Sequence, residues 1–459
     1  MALEVVVLAA GQGKRMRSRL PKALHTLAGK SLLAHVLRSV RSLEPKRIHV
    51  VVGAGADEVK KAFAQDNDLS WVLQKQQLGT GHAAAQAIEG IAHSSLVLIV
   101  FGDVPLVRAE TLRACIDVAA NGIGLVTADM PDPMDLGRIV RGADGHVQAI
   151  VEARDANPQT RAIREINTGI MAMPARLLAD KLKGLSSNNA QGELYLTDVI
   201  GMAVADGIRV NAVKAPCAEE VAGINDRVQL AQLERFHQRY LAEALMRNGV
   251  TLRDPSRLDI RGELTAGEDC VIDVNVVFEG TVRLGHRVSI GTGAVIKDAT
   301  LADGVTIHPH TVIDGAKIAA ECEIGPFARM RPGTELAEHV KIGNFVETKK
   351  TRLGAGTKSN HFAYLGDTTT GEECNIGAGT IMCNYDGVDK HPTFLGNRVF
   401  IGSNSTLVAP IKVGDDSYVA AGSTVTSEVN DDELAIGRAR QRNITGWTSP
   451  IKRKKPSHE

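Results

Sequence analysis

The feature that most constrains this chain is a six-residue repeat that runs from about residue 265 to residue 425. One aliphatic side chain recurs at every sixth position, and a glycine or another small residue usually follows it. A period of six fits neither a helix of about 3.6 residues per turn nor an alternating strand. It is typical of a parallel β-helix, in which each hexapeptide supplies one short strand and one corner. The alternative, a β-sandwich with regular turns, would not require so strict a period.

The repeat weakens in two places, and we expect function there because regular coils serve chiefly as scaffold. Residues 344–365 introduce charged and aromatic side chains where the six-residue period is hard to follow. Residues 382–394 separate the repeats at Ile376 and Leu395 and are predicted to protrude as a loop.

Composition excludes several classes of protein. Lys plus Arg and Asp plus Glu are equal at 53 each, which argues against a dedicated nucleic-acid-binding protein. The six cysteines lack C-x-x-C spacing, so free thiols in a reducing cytoplasm are expected rather than disulfides or zinc. No apolar run is long enough for a membrane span, and we expect no membrane association. The basic tail after Pro450 is predicted to be a frayed, solubilising end.

The first 119 residues alternate predicted strands and helices, and residues 122–217 show a mixed pattern. Residues 4–11 form an apolar run that ends in glycine, and similar runs at 48–52, 71–73 and 96–101 are each followed by a helical pattern. Such βαβ alternation predicts a doubly wound, mostly parallel sheet with its ligand beyond the carboxyl ends of the strands. Residues 139–152 are hairpin-like, and 225–248 read as one long helix that joins two domains.

The loop after the first strand suits a polyphosphate. Gly11 and Gly13 allow backbone N–H groups to approach phosphates closely, and Lys14, Arg15 and Lys22 are among five cations in nine residues. The loop is neither a Walker A motif nor a dinucleotide fingerprint. A solvated charged loop is the alternative. Against that alternative stands the strand at 96–101, which ends in Gly-Asp, where a carboxylate can hold Mg²⁺.

The pattern L-x-x-G-x-G-x-x-M-x-x-x-x-P-K at residues 8–22 resembles the sugar-nucleotide pyrophosphorylases. Combined with the hexapeptide repeat, it is similar to the bacterial bifunctional N-acetylglucosamine-1-phosphate uridylyltransferase and glucosamine-1-phosphate N-acetyltransferase family. The resemblance implies an α/β Rossmann-like nucleotidyltransferase domain at 1–226, a linker helix at 227–249 and a left-handed parallel β-helix at 250–459. Lys14 stands where the family usually has Thr, and Phe101 where Tyr is frequent.

The resemblance implies two reactions that together make UDP-N-acetylglucosamine. The C-terminal domain would acetylate glucosamine 1-phosphate with acetyl-CoA. The N-terminal domain would transfer uridylyl from UTP to N-acetylglucosamine 1-phosphate and release pyrophosphate. It also implies Mg²⁺ as cofactor, a cytoplasmic homotrimer, and acetyl sites built from neighbouring subunits.

For uridylyl transfer, the resemblance implies Arg15 and Lys22 as the phosphate clamp and Asp103 with Asn225 as Mg²⁺ ligands. The implied nucleotide and sugar contacts are Leu8, Ala9, Ala10, Gly11, Lys22, Gln74, Gly79, Thr80, Phe101, Gly102, Asp103, Gly137, Glu152, Asn167 and Asn225. Structural alternatives stay open for several of them: Asn225 could cap the following helix, Glu152 could be a solvated strand end, and Asn167 a turn residue.

For acetyl transfer, a base must take a proton from the amine, and His361 is the candidate because imidazole titrates near neutral pH. The resemblance implies Glu347 as its supporting acid. It implies that Arg331, Lys349, Tyr364 and Asn375 bind glucosamine 1-phosphate. It implies that Ala378, Asn384, Tyr385, Ser403, Ala421 and Arg438 bind acetyl-CoA. Ala363 stands where a hydroxyl residue is expected, which puts any hydroxyl contact there in doubt.

Two other functions remain open on the residues. One is a glucose- or mannose-1-phosphate nucleotidylyltransferase with a regulatory β-helix, which would not need the His361–Tyr364 cluster. The other is a non-catalytic β-helical scaffold, which would not need Lys22, Asp103 and Asn225.

Overall fold

In the computed structural model, which describes residues 1–189 and 191–453, the first apolar run forms an interior strand of a nine-stranded sheet. Val5 and Val7 are fully buried, because helices cover both faces of the strand. The chain separates into two units, Met1–Leu241 and Ala242–Glu459.

The strands of the first unit are β1 Leu3–Leu8, β2 Thr26–Leu27, β3 Lys30–Ser31, β4 Arg47–Val52, β5 Leu69–Leu73, β6 Leu96–Phe101, β7 Ile123–Asp129, β8 Arg138–Arg141, β9 Val147–Val151, β10 Glu165–Pro174 and β11 Val210–Lys214. The helices are α1 Leu32–Arg41, α2 Ala56–Ala62, α3 Thr80–Ile88, α4 Ala109–Val118, α5 Pro158–Arg161, α6 Ala175–Leu182, α7 Asp198–Ala205 and α8 Arg227–Arg247. Short 3₁₀ turns lie at Lys14–Met16, Lys22–Leu24, Ala119–Asn121 and Ala218–Val221.

The sheet order is β11-β7-β10-β6-β1-β4-β5, and a hairpin of β8 and β9 joins β10. The predicted βαβ alternation, the hairpin and the mostly parallel sheet are confirmed. The exception is β10, which runs antiparallel to both β6 and β7. Its reversal brings Asn167, near its amino end, to the same edge as the carboxyl end of β6. The long predicted helix at 225–248 is also confirmed as α8, and the boundary between the two units falls within it.

The second unit is a parallel β-helix with three faces. Its strands pair one coil apart, at 17 or 18 residues in most coils and at 25 in the coil that carries residues 382–394. The first face holds β12 Thr251–Leu252, β14 Val271–Ile272, β16 Ser289–Ile290, β19 Thr306–Ile307, β22 Glu323–Ile324, β25 Lys341–Asn344, β28 Lys358–His361, β31 Asn375–Ile376, β34 Phe400–Ile401, β37 Tyr418–Val419 and β39 Leu434–Ala435.

The second face holds β17 Val295–Lys297, β20 Val312–Asp314, β23 Arg329–Met330, β26 Glu347–Lys349, β29 Tyr364–Gly366, β32 Ile381–Cys383, β35 Thr406–Val408 and β38 Thr424–Val425. The third face holds β18 Thr300–Leu301, β21 Ala316–Ile318, β24 Thr334–Leu336, β27 Arg352–Leu353, β30 Thr368–Thr370, β33 Thr393–Leu395 and β36 Ile411–Val413. The longer strands β13 Leu258–Ala266 and β15 Val276–Leu284 run across the second and third faces. A 3₁₀ turn at Pro255–Arg257 and helix α9 Pro450–Arg453 complete the unit.

The predicted left-handed parallel β-helix is confirmed, and the repeated aliphatic side chains fill its interior. The apparent weakening of the repeat at 344–365 is not a break in the coil. Thr348 and Ser359 are fully buried at the inward positions where aliphatic residues stand elsewhere. The hydroxyl of Thr348 lies 2.8 Å from that of Thr334, so this polar group is satisfied inside the core. Most of the predicted frayed tail, residues 454–459, lies outside the described part of the chain.

Candidate functional sites

The carboxyl ends of β1, β4, β5 and β6 form one edge of the sheet, and the predicted nucleotide loops follow them. Backbone hydrogen bonds join these loops to neighbouring strand ends. The Ala9 N–H donates to the Val51 oxygen and the Gly102 N–H to the Leu8 oxygen, each at 2.9 Å. A Cβ at Gly102 would lie 2.9 Å from the Cβ of Ala9, so the two loops approach too closely for a side chain. Leu8–Gly11 and Phe101–Asp103 therefore lie together, as predicted.

The glycine-rich loop leaves its backbone accessible. Nothing lies within 4 Å of a Cβ built at Gly11. Gly13 adopts φ +59°, and a Cβ there would lie 2.9 Å from the Cβ of Lys22. The loop is therefore folded against the Lys22 stem, while the side chain of Arg15 remains exposed. Open N–H groups beside these cations form an anion-binding surface.

Lys22, Asp103 and Asn225 converge at the centre of this edge. The Lys22 ammonium forms an ion pair with Asp103 and donates to the Asn225 side-chain oxygen at 2.8 Å. The Ile224 N–H donates to the Asp103 backbone oxygen at 2.9 Å, which holds residue 225 opposite the carboxylate. The side-chain oxygens of Asp103 and Asn225 therefore face the same position, and the Lys22 ammonium occupies it.

This donor set fits a hard divalent cation, because Asp and Asn oxygens with open positions for phosphate suit such ions. Asp103 and Asn225 would hold it, and the ion when bound would offset the charge of the triphosphate. Within the described residues no group of three or more His, Cys, Asp or Glu side chains is placed to bind a metal. The substrate itself would have to supply some of the ligands.

The loop predicted to read the base is tightly folded. Gln74 is buried, and its amide nitrogen lies 3.2 Å from the Gly79 oxygen and 3.0 Å from His82 Nδ1. Gly79 has φ +112°, and a Cβ there would lie 2.5 Å from the Leu194 oxygen. Thr80 accepts from the Leu196 N–H at 3.1 Å. Gln74, Gly79 and Thr80 are brought together, and the Thr80 hydroxyl also ties the loop to residues 194–196.

The three residues predicted to hold the sugar also meet. The Asn167 N–H donates to the Gly137 oxygen at 2.8 Å, and a Cβ at Gly137 would lie 3.4 Å from Glu152 Oε1. Burial raises the pKa of Glu152, against a hydrogen bond from Thr197 at 3.1 Å. Glu152 is thus not a solvated strand end. The Asn167 side chain accepts from the Gly169 N–H at 3.0 Å, so it also forms the turn that the sequence left open.

A cavity of about 810 Å³ lies against Asp103, Asn167 and Asn225. The rest of the cavity lining is largely apolar. No sequence motif marks these residues, because they come together only in the folded chain. The apolar lining includes Val104, Met130, Met134, Leu136, Val221, Leu233 and Phe236.

In the β-helix, His361 lies at the corner that joins the first face to the second. Its Nδ1 is 2.8 Å from the side-chain oxygen of Asn344, one coil away. The predicted acid, Glu347, instead accepts from Arg331 at 2.9 Å, and no hydrogen bond joins Glu347 to His361. The structure therefore differs from the expectation, since Asn344 pairs with His361 across the first face whereas Glu347 pairs with Tyr364 on the second.

The cationic cluster on the second face is larger than predicted. Lys349 lies 3.5 Å from Asp367, and Asn384 donates to the same carboxylate at 2.5 Å. A hydrogen bond with Lys390, together with Asp367, raises the pKa of Lys349, and the same contact lowers the pKa of Lys390. Lys390 belongs to the predicted protruding loop, which is confirmed. No sequence motif marks Lys390 or Asp367, because only the fold of the loop brings them to Lys349.

The remaining acetyl-site residues lie in three places: the His361 corner, the protruding loop and the first face. Ala378, Ser403 and Ala421 stack on successive coils at the His361 corner: Ala378 accepts from Asn404 at 2.7 Å and Ser403 from Gly422 at 2.8 Å. Arg438 donates to the Ala421 oxygen at 2.7 Å. Their small side chains leave a narrow strip along the corner. Tyr385 is exposed in the protruding loop, whereas Asn375 lies on the first face, apart from Arg331, Lys349 and Tyr364.

Comparisons with known proteins agree with this architecture. A family model for a MobA-like NTP transferase domain matches residues 5–160, one for a GMPPB C-terminal domain matches 260–353, and one for a hexapeptide repeat of succinyl-transferase matches 392–427. No helix in the described residues has both the length and the apolar character needed to span a membrane.

Full-length relatives carry one shared name, "Bifunctional protein GlmU". The relative from Marinobacter nauticus is 53% identical, over 98% of this chain and 99% of its own. The relative from Alkalilimnicola ehrlichii is 53% identical, over 98% and 97%. The relative from Pseudomonas entomophila is 53% identical, over 99% and 100%. These relatives span both units rather than either one alone.

Proposed function

The chain belongs to the family of bifunctional GlmU proteins, and on that premise we propose which of its residues carry out each reaction. The enzyme makes UDP-N-acetylglucosamine by acetyl transfer in the β-helix and uridylyl transfer at the edge of the sheet. The observation that supports the uridylyl site is the convergence of Lys22, Asp103 and Asn225 beside an open glycine-rich loop and a cavity.

In uridylyl transfer, the sugar 1-phosphate attacks the α-phosphorus of UTP and pyrophosphate leaves. Both reactants are anions, so the site must offset their charge and align them. Lys22 and Arg15 contact the phosphates, and Asp103 with Asn225 would hold Mg²⁺, which would offset phosphate charge. Gln74, Gly79 and Thr80 receive the base, while Gly137, Glu152 and Asn167 bind the sugar. When phosphates enter, the Lys22 ammonium can exchange its present partners for phosphate oxygens.

In acetyl transfer, the amine of glucosamine 1-phosphate attacks the thioester carbon of acetyl-CoA. His361 takes a proton from the attacking nitrogen, and the C–S bond breaks to release the thiol. Arg331, Lys349 and Tyr364 bind the sugar phosphate, and Lys390 lies beside Lys349. Acetyl-CoA lies along the small-residue strip of Ala378, Ser403 and Ala421, with Asn384, Tyr385 and Arg438 at its sides.

The test is a combined assay of purified protein with glucosamine 1-phosphate, acetyl-CoA, UTP and Mg²⁺. Free thiol reports acetyl transfer and pyrophosphate reports uridylyl transfer. Both should appear. Treatment with EDTA should stop pyrophosphate release and leave thiol release unchanged, because the metal ligands lie only in the first site. Restoration by Mg²⁺ would support the metal assignment, whereas undiminished pyrophosphate release in EDTA would contradict it.

We further propose that the protein works in the cytoplasm. All six cysteines are unpaired, and burial raises the pKa of Cys115 to about 12, as expected for an inert structural thiol in a reducing compartment. Detection of the protein in a periplasmic or secreted fraction would contradict this location.

A further inference from the structure

The contact between Asn344 and His361 has no counterpart among the predicted roles. The two residues occupy the same position on consecutive coils, where β25 pairs with β28. Asn344 directs its carbonyl oxygen to Nδ1 of the imidazole at 2.8 Å. This is the ring's one hydrogen bond within the described residues. Asn344 is therefore the residue placed to decide which ring nitrogen carries the proton.

The corner holds this pair in place. The Phe362 N–H donates to the Asn344 backbone oxygen at 3.1 Å, and the rings of Phe345 and Phe362 stack with centroids 5.2 Å apart. Both phenylalanines have positive φ, at 58° and 48°, a strained conformation for bulky residues. The stack continues through Phe327 to His310. A stacked aromatic column thus braces the backbone on either side of the Asn344–His361 contact.

We propose that Asn344 is a positioning residue that accepts a hydrogen bond from Nδ1–H of His361, leaving Nε2 as the basic nitrogen for acetyl transfer. An imidazole with its proton on Nδ1 has its lone pair on Nε2. A hydrogen-bond acceptor on another residue, facing Nδ1, stabilises that tautomer. Nε2 then takes the proton from the attacking amine as the N–C bond forms, and passes it to the departing thiolate as the C–S bond breaks. This inference rests on the acetyl transfer proposed above.

The surroundings make Asn344, rather than a carboxylate, the partner of the ring. Lys341 and Lys358 project from β25 and β28 on the first face. Asn375 follows on β31, and on the second face the carboxylate of Glu347 is already engaged by Arg331. A neutral acceptor orients the imidazole without adding the charge that would stabilise its protonated form.

Two substitutions of Asn344 distinguish a role in orienting the His361 ring from a role in packing alone. Asn344→Leu keeps the size but removes the acceptor, and it should lower kcat for acetyl transfer about 100-fold with KM for glucosamine 1-phosphate little changed. Asn344→Asp keeps an acceptor and adds charge. It should retain most activity at high pH, while the acidic limb of the pH profile moves up by about one unit. Asn275→Asp, at the same corner four coils earlier, is the matched control and should leave the profile unchanged.

A readout independent of activity separates this inference from the proposed function. Nitrogen-15 NMR of histidine-labelled protein, with the signal assigned by its loss in His361→Ala, should show the Nδ1–H tautomer of His361 in the native enzyme. Its loss in Asn344→Leu would support the proposal. An Nε2–H tautomer in the native enzyme, wild-type acetylation in Asn344→Leu, or equal loss in the Asp and Leu variants would overturn it. Absence of acetylation in the native enzyme would instead refute the proposed function.

Discussion

At the scale of single residues, the first site depends on a cation between two oxygen ligands. Lys22 now fills the place between Asp103 and Asn225. Asp103→Ala removes a carboxylate that both Lys22 and a metal ion require. We expect uridylyl transfer to fall at least about 100-fold and acetyl transfer to remain, because the latter takes place in the other unit.

The matched control for this prediction is Asp129→Ala. Asp129 is an exposed carboxylate on the same sheet and is paired with a lysine, Lys214, at 2.7 Å. It lies outside the proposed site, so pyrophosphate release should stay near the native rate. Equal loss of both activities in a folded Asp103→Ala protein would contradict the assignment of two separate sites.

Substitution of His361 should have the opposite effect: acetyl transfer is lost and uridylyl transfer is retained. His361→Ala removes the proposed base, so we expect thiol release from acetyl-CoA to fall about 100-fold or more, with pyrophosphate release from UTP and N-acetylglucosamine 1-phosphate unchanged. His339→Ala removes another exposed corner histidine of the β-helix and serves as control. Acetylation that survives in His361→Ala would rule out the base assignment.

At the scale of elements, α8 packs against α1 through a pair of histidines. The rings of His35 and His237 meet edge to face with centroids 5.6 Å apart, and His35 Nε2 lies 2.8 Å from the Leu27 oxygen. Burial, together with the nearby His35 and Arg38, lowers the pKa of His237 to about 4. Burial also lowers the pKa of His35. Both rings are therefore neutral where the helices pack.

A loss of stability in mild acid follows from these lowered pKa values. Below the unfolded pKa of 6.5, the unfolded chain binds a proton at His237 that the folded protein does not bind until about pH 4. The free energy of unfolding should thus fall as pH drops from 6.5 towards 4, by at most about 1.4 kcal/mol per unit for this group. Urea unfolding across this range measures the slope, and His237→Phe should reduce it. An unchanged slope in that variant would contradict the role of His237.

At the scale of the whole molecule, one chain does not enclose its proposed acetyl site. Arg331, Lys349 and Tyr364 lie on the second face, the small-residue strip follows a corner, and Asn375 lies on the first face. Neighbouring copies packed side by side can bring one chain's first face to another's second face. We propose on this ground that the protein assembles as the homotrimer that the family resemblance implies.

Light scattering tests that assembly. The mass should correspond to three chains of 48.9 kDa. If the trimer completes the acetyl sites, dilution that dissociates it should reduce thiol release before pyrophosphate release. A monomer with full acetyl-transfer activity would contradict the proposal.

Local sequence determined much of this protein. The six-residue period specified the β-helix, since a coil with three short faces turns the same position of each hexapeptide towards its interior. The apolar runs that end in glycine specified the sheet and placed Gly11 and Asp103 at its carboxyl edge. Those features depend on spacing and on backbone freedom, and both can be read along the chain.

Tertiary structure alone decided what depends on neighbours distant in sequence. It showed that Thr348 and Ser359 continue the repeat, because both side chains are fully buried at inward positions of the coil. The pairing of consecutive coils hydrogen-bonds Asn344, rather than Glu347, to His361. The fold of the protruding loop brings Lys390 into contact with Lys349. A sequence motif identifies candidate residues for a reaction, whereas tertiary packing determines which of those residues are in contact.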